Sequence, residues 1–63
     1  MAAKRIIVKS SDRTKYFKWW DSDKELREDR DGTIGKAGSL EDAIALAKAH
    51  TGGANQKVEI RDV

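Results

Sequence analysis

The four aromatic residues of this 63-residue chain all lie within one five-residue segment, Tyr16-Phe17-Lys18-Trp19-Trp20. Aromatic residues favour β-strands, and the side chains of a strand point alternately to its two faces. Phe17 and Trp19 therefore share one face, and Tyr16, Lys18 and Trp20 share the other. Because the lysine lies on the second face, we predict that Phe17 and Trp19 enter the core and that Trp20 is partly exposed.

The size of the chain limits its core. A chain of this length forms one small core, near the lower limit for folding alone. The sequence contains no cysteine, so neither a disulfide nor a thiolate metal site can stabilise it. We expect a single domain over residues 1–63 that depends on a few large apolar side chains, and self-association would add to its stability.

The amino-terminal residues predict a location. They lead into a three-residue apolar run, which is too short for a signal peptide or a membrane span. We therefore expect a cytoplasmic protein with no membrane partner.

The first half of the chain predicts a β-hairpin. Residues 5–9 are rich in β-branched side chains, with Ile6 and Val8 on one face and Arg5, Ile7 and Lys9 on the other. The polar residues 10–14 predict a turn. The aromatic segment is then the antiparallel partner of the first strand.

The middle of the chain is harder to interpret. Residues 21–30 contain Leu26 as their only large apolar residue, so they predict neither an amphipathic helix nor a strand. A charged extension of the sheet is the alternative. Asp31-Gly32 is a turn pair, and residues 33–35 predict a short third strand.

The second half predicts one helix and a closing strand. Ser39 is a suitable N-cap, a helical apolar face follows it, and Gly52-Gly53 ends the helix. That face is formed by Leu40, Ala43, Ile44 and Ala47. Residues 57–61 alternate strictly, which directs Val58 and Ile60 inward. The predicted fold is α+β: an antiparallel sheet of three to four strands with one helix on one face, in the order β-β-(β)-α-β.

Four features occur together in the sequence: a first strand, a tryptophan-containing second strand, the helix Ser39-Leu40-Glu41-Asp42-Ala43-Ile44-Ala45-Leu46-Ala47-Lys48 and the strand Val58-Glu59-Ile60-Arg61-Asp62. This combination resembles a family of small uncharacterised prokaryotic domains. The resemblance implies a short antiparallel sheet, one helix with an Ala-Ile-x-x-Ala pattern and a closing strand. It implies no activity, and the acidic residues 21–31 depart from the family pattern.

The sequence offers little for catalysis or for cofactors. The only histidine, His50, lies in the last helical turn without a nearby serine or acid to orient it. Residues 21–25 superficially resemble a calcium loop, but Leu26 stands where that loop needs glycine and Gly32 where it needs glutamate. We therefore expect a non-catalytic module with no cofactor and no metal.

The basic and aromatic residues near the amino terminus are the functional candidates. Residues 1–20 contain six basic residues and one acid, whereas residues 21–31 contain six acids and three bases. A positive groove with exposed rings is typical of single-stranded nucleic-acid binding. We assign the candidate surface to Arg5, Lys9, Lys15, Tyr16, Lys18 and Trp20. The alternative is a protein-protein interaction or homodimerisation module that uses the open sheet face or an edge strand.

Overall fold

A computed structural model describes residues 3–10, 14–30, 32–53 and 55–62. These residues form β1 (Ala3–Lys9), β2 (Thr14–Trp20), β3 (Glu25–Glu28), β4 (Gly32–Lys36), α1 (Leu40–Thr51) and β5 (Lys57–Asp62). The strands make one antiparallel sheet in the order β4-β3-β2-β1-β5. The α+β class is confirmed. The sheet has five strands rather than three to four, and the chain order is β-β-β-β-α-β.

The additional strand, β3, lies in the segment that the sequence left unassigned. Its single large apolar side chain, Leu26, is fully buried and pairs with Trp19 of β2. A tight turn leads into it, in which the Lys24 amide donates to the Trp20 carbonyl at 2.8 Å. Lys24 itself has a φ of 58°. One buried apolar residue is enough to hold this segment as a strand, because β3 has a hydrogen-bonded neighbour on each side, β2 and β4.

The helix begins and ends as predicted. The Ser39 hydroxyl accepts a hydrogen bond from the Asp42 amide at 3.3 Å. At the other end, the amides of Gly52 and Gly53 donate to the Lys48 carbonyl at 3.1 and 2.8 Å. Both glycines have positive φ, 134° and 133°, a conformation that side chains with a Cβ rarely adopt. Residues 11–13 of the predicted turn at residues 10–14 lie outside the described residues. Asp31 of the predicted turn pair also lies outside them.

The core lies between α1 and one face of the sheet. The helix packs on β1 and β2, and its small Ala43 and Ala47 are fully buried there. Gly35 of β4 also permits close packing, since a Cβ at that position would lie 3.2 Å from the Leu46 side chain. The buried cluster consists of Ile6, Val8, Phe17, Trp19, Leu26, Ala37, Ala43 and Ala47.

The closing strand is only partly covered by the helix. Val58 packs against the core cluster. Ile60 pairs with the buried Ile6 and so lies on the predicted face, but 44% of its surface is exposed. The reason is the position of α1, which lies over the two neighbouring strands β1 and β2.

Trp19 combines apolar packing with a hydrogen bond. Its ring is 6% exposed, and its indole N–H donates to the carbonyl of the buried Ala37 at 3.0 Å. This contact ties β2 to the chain just after β4. A buried carbonyl that loses its donor costs about 1–3 kcal/mol.

We expect Trp19→Phe to lower the free energy of unfolding by about 1–3 kcal/mol, because it leaves the Ala37 carbonyl without this donor. Trp20→Phe is the matched control on the other face and should cost less. Urea denaturation followed by far-UV circular dichroism measures both. Equal losses for the two variants would contradict the assigned role of the Trp19 hydrogen bond.

Candidate functional site

The face of the sheet opposite α1, here called the exposed sheet face, is rich in basic side chains. Strand alternation and pairing assign to it six basic and two acidic residues from β1, β2, β3 and β5. The basic residues are Arg5, Lys9, Lys18, Arg27, Lys57 and Arg61, and the acidic ones are Glu25 and Glu59. This face therefore carries a net positive charge.

Four of these basic residues form a line across the sheet, here called the basic row: Arg61, Arg5, Lys18 and Arg27. Arg5 lies opposite Arg61 on one side and opposite Lys18 on the other. Lys18 in turn lies opposite Arg27. Like charges directly opposite each other on neighbouring strands are destabilising. The basic row is therefore an arrangement that lowers stability and that an anionic ligand would relieve.

Two aromatic rings flank the basic row. The Arg5 guanidinium lies over the Tyr16 ring at 5.0 Å from its centroid, and the Arg27 guanidinium lies over the Trp20 ring at the same distance. These are cation–π distances. Tyr16 is 38% exposed and Trp20 is partly exposed, as predicted. Each ring therefore presents aromatic surface beside a positive charge.

The ends of the basic row have acidic neighbours. The Arg27 guanidinium lies 2.6 Å from the Glu25 carboxylate and 3.7 Å from that of Asp23. The hydrogen bond to Glu25 raises the pKa of Arg27, which stays positively charged. Arg61 lies 3.4 Å from Glu59, which also pairs with Lys9. Both terminal arginines are thus partly neutralised.

The middle of the basic row is not neutralised in this way. Within the described residues, neither Arg5 nor Lys18 forms an ion pair. The Arg5 Nε atom is buried and has no hydrogen-bond partner there. An unsatisfied buried donor is unfavourable. The centre of the basic row therefore keeps positive charge that no carboxylate of a described residue neutralises.

A shallow depression of about 410 Å³ includes Arg5 and Arg61 of the basic row in its lining. Ile7 is among the residues that line it and is only 6% exposed. Arg5, Lys9, Tyr16 and Glu59 also line it. Their long side chains cover the apolar Ile7 while their polar ends reach solvent. The depression thus has polar walls around a small apolar centre.

Five of the six residues predicted for the candidate surface share this face: Arg5, Lys9, Tyr16, Lys18 and Trp20. Lys15 does not. It pairs with the fully buried Val8 and lies on the side of the sheet that α1 covers. The side chains of Lys15 and Tyr16 are consecutive in β2, so they point to opposite faces. Placing Lys15 with Tyr16 was wrong.

Two residues of the basic row, Arg27 and Arg61, were not predicted from the sequence. Arg61 lies in a strand whose charges were expected to face solvent, but the sequence does not show that β5 pairs with β1. Arg27 lies in the segment that was left unassigned. The alternation of residues 57–61 was the available signal for Arg61, and nothing comparable pointed to Arg27.

The described residues contain no group of three or more histidine, cysteine or acidic side chains placed to hold a metal ion. In the same part of the chain, the His50 ring lies edge-on to Phe17, with centroids 5.9 Å apart. No helix there has both the length and the apolar character needed to cross a membrane.

The chain was compared with known proteins at three levels. No protein-family model, curated protein or solved structure matches it. The resemblance to small prokaryotic domains stays a prediction.

The charge network predicts a pH dependence at Glu59. Lys9, and to a smaller extent Arg61, lowers the pKa of Glu59 below its ordinary value. A carboxylate whose pKa is lower in the folded than in the unfolded state stabilises the fold above its unfolded pKa. That contribution is lost as the pH falls through the folded-state pKa.

We therefore expect Glu59→Gln to be less stable than the parent at neutral pH, and the difference to vanish in acid as Glu59 becomes protonated. Urea denaturation over a pH series measures it. Asp29→Asn is the control, since exposed Asp29 forms no ion pair with a described residue. A stability difference for Glu59→Gln that persists at the acid end would contradict this account.

Proposed function

We propose that the exposed sheet face binds single-stranded nucleic acid, with phosphates on the basic row and bases stacked on Tyr16 and Trp20. The observation that carries this proposal is the alignment of Arg5, Lys18 and Arg27 on adjacent strands between these two rings. In this proposal the protein is a non-catalytic binding module.

Electrostatics supports a polyanion as the ligand. The cationic side chains repel one another along the basic row, and its centre has no carboxylate partner among the described residues. A chain of phosphates would bring several negative charges to this face, which a single small anion does not. The Arg5 guanidinium can also use its remaining N–H donors for a phosphate oxygen while it stays over Tyr16.

The spacing of the rings supports a single strand. Tyr16 and Trp20 are four residues apart on β2, or about 14 Å at a strand rise of about 3.4 Å per residue. A nucleic-acid strand that runs along β2 from one ring to the other rises about 3.4 Å per nucleotide, so about four nucleotide steps separate the two rings and the strand crosses the basic row at Lys18. Ring stacking needs bases that are free of a duplex, and each stack contributes roughly 1–3 kcal/mol.

The chemistry of the face predicts weak sequence preference. Guanidinium and ammonium groups would contact phosphates, which carry no sequence information. Aromatic rings stack on the face of any base. We therefore expect similar affinities for DNA and RNA strands of different composition.

The first test compares two lysines of the same strand. Binding of a single-stranded oligonucleotide of about ten nucleotides, within the usual site sizes of roughly 4–16, is measured by fluorescence anisotropy at several salt concentrations. Each phosphate contact contributes about −0.7 to the slope of log K against log salt. We expect Lys18→Ala to reduce the magnitude of this slope by about 0.7.

Lys15→Ala is the matched control for this experiment. It removes the same charge three residues away, on the face that α1 covers. Its salt slope should stay that of the parent. Equal effects of the two variants would show that binding depends on overall charge rather than on the exposed sheet face. Absence of binding at low salt would reject the proposal.

The second test addresses stacking. Trp20 lies on the exposed sheet face, whereas Trp19 is buried in the core, so we expect oligonucleotide to quench only the fluorescence of Trp20. Trp20→Phe should abolish the quenching but keep a ring for stacking. Trp20→Ala should weaken binding by roughly 1–3 kcal/mol. Unchanged affinity of Trp20→Ala would remove this ring from the site.

A further inference from the structure

The sheet of the described residues ends in two edge strands, β4 and β5, and they differ in regularity. β4 contains Gly32 and Gly35, and its pairing with β3 shifts register between Leu26 and Arg27. Glycines and bulges disfavour further pairing at an edge. β5 pairs with β1 without a shift over residues 57–62. The free side of β5 is therefore the better template for another strand.

Aliphatic side chains beside this edge are only partly covered. Leu46 approaches Gly35 of β4, so the opposite flank of α1, which carries Ile44, faces the β5 side of the molecule. Val58 lies on the same layer and is only partly buried, and Ile60 is 44% exposed. A strip of aliphatic surface thus follows the free edge on the helix side.

Two copies of β5 can pair antiparallel with opposite charges facing each other. When two copies of the strand are centred on Ile60, Ile60 lies opposite the partner's Ile60. Glu59 then lies opposite the partner's Arg61, and the two-fold symmetry repeats this pair. Opposite charges directly across two strands are stabilising. Ile60 and the two charged positions beside it are therefore matched, whereas Val58 lies opposite the partner's Asp62.

The neighbouring registers are unfavourable. Residues that lie opposite each other on two paired strands point to the same face of the sheet. The centre of the pair can therefore move from one residue to the next, but not to a point between two residues. Centring the pair on Glu59 would place two glutamates opposite each other. Centring it on Arg61 would place two arginines opposite each other. Centring it on Val58 would again pair opposite charges, Lys57 with the partner's Glu59, but would leave the 44% exposed Ile60 opposite the partner's Gln56. Like-charge repulsion therefore excludes the first two registers, and the burial of Ile60 favours the pairing at Ile60 over that at Val58.

We propose that the protein forms a homodimer through β5, with two copies paired antiparallel around Ile60. The two sheets would then join edge to edge into one continuous sheet. Both helices would lie on one side, with Ile60 and the partner's Ile60 filling the space between them. The exposed sheet faces of the two copies would lie together on the other side. The two basic rows would then lie on one continuous surface.

Cysteine cross-linking tests the register directly, because the chain has no cysteine of its own. At Ile60, the two opposite Cα atoms would be about 4.5–5.5 Å apart, within the roughly 4.4–6.8 Å that a disulfide spans. We expect Ile60→Cys to form a covalent dimer under mild oxidation, as seen on a non-reducing gel.

Val58→Cys is the matched control on the same face of the same strand. In the proposed register the two equivalent positions are four residues apart along the strand, about 14 Å, so no disulfide should form. Cross-linking of both variants to the same extent, or of neither, would overturn the proposed pairing. These outcomes do not depend on whether the protein binds nucleic acid.

Light scattering tests the dimer without cysteine. We expect the parent protein to have twice the 7.0 kDa mass of one chain, and Ile60→Lys to have the monomer mass with an unchanged circular dichroism spectrum. Ile60 is exposed enough for this substitution to spare the fold. A monomer mass for the parent at every concentration would overturn the proposal.

A charge exchange provides the final control. Arg61→Glu would place two glutamates opposite each other in each pair, and we expect it to raise the dimer dissociation constant by roughly tenfold. The double variant Glu59→Arg with Arg61→Glu restores opposite charges across the interface and should recover the dimer. Failure of the double variant to recover it, with the fold intact, would contradict this register.

Discussion

The side-chain alternation of β2 is the constraint on which the rest of this structure depends. Phe17 and Trp19 are committed to the core, and Trp19 also donates its indole N–H to Ala37. The same backbone geometry then directs Tyr16, Lys18 and Trp20 to the opposite face. The core and the candidate binding surface are thus two sides of one strand, and a shift by one residue would exchange them.

The position of α1 divides the sheet into covered and uncovered parts. The helix is flat on its buried side because Ala43 and Ala47 face the strands, and it lies over β1 and β2. Its narrow contact surface covers β5 only in part: Val58 packs against the core, whereas Ile60 stays exposed. In a chain this small, one helix covers only part of a five-stranded sheet. The proposed dimer would cover the remainder of the apolar layer.

The basic row shows how stability and binding oppose each other on the exposed sheet face. Arg5 and Lys18 lie opposite like charges, whereas Arg27 and Arg61 have carboxylates beside them. The neutralised ends limit the repulsion, and the centre keeps its charge available. Both proposals use this arrangement, since pairing at β5 would place the partner's Glu59 opposite Arg61 and extend the basic surface into a second copy.

The sequence by itself determined the local elements: the aromatic strand, the capped helix from Leu40 to Thr51 and the alternating strand that closes the chain. Their periodicity and caps are properties of neighbouring residues, so they can be read without the fold. The tertiary structure decided strand order and register, which depend on residues far apart in the chain. It recruited residues 25–28 as a strand through pairing, left Ile60 exposed, and brought Arg61 and Arg27 into line with Arg5 and Lys18.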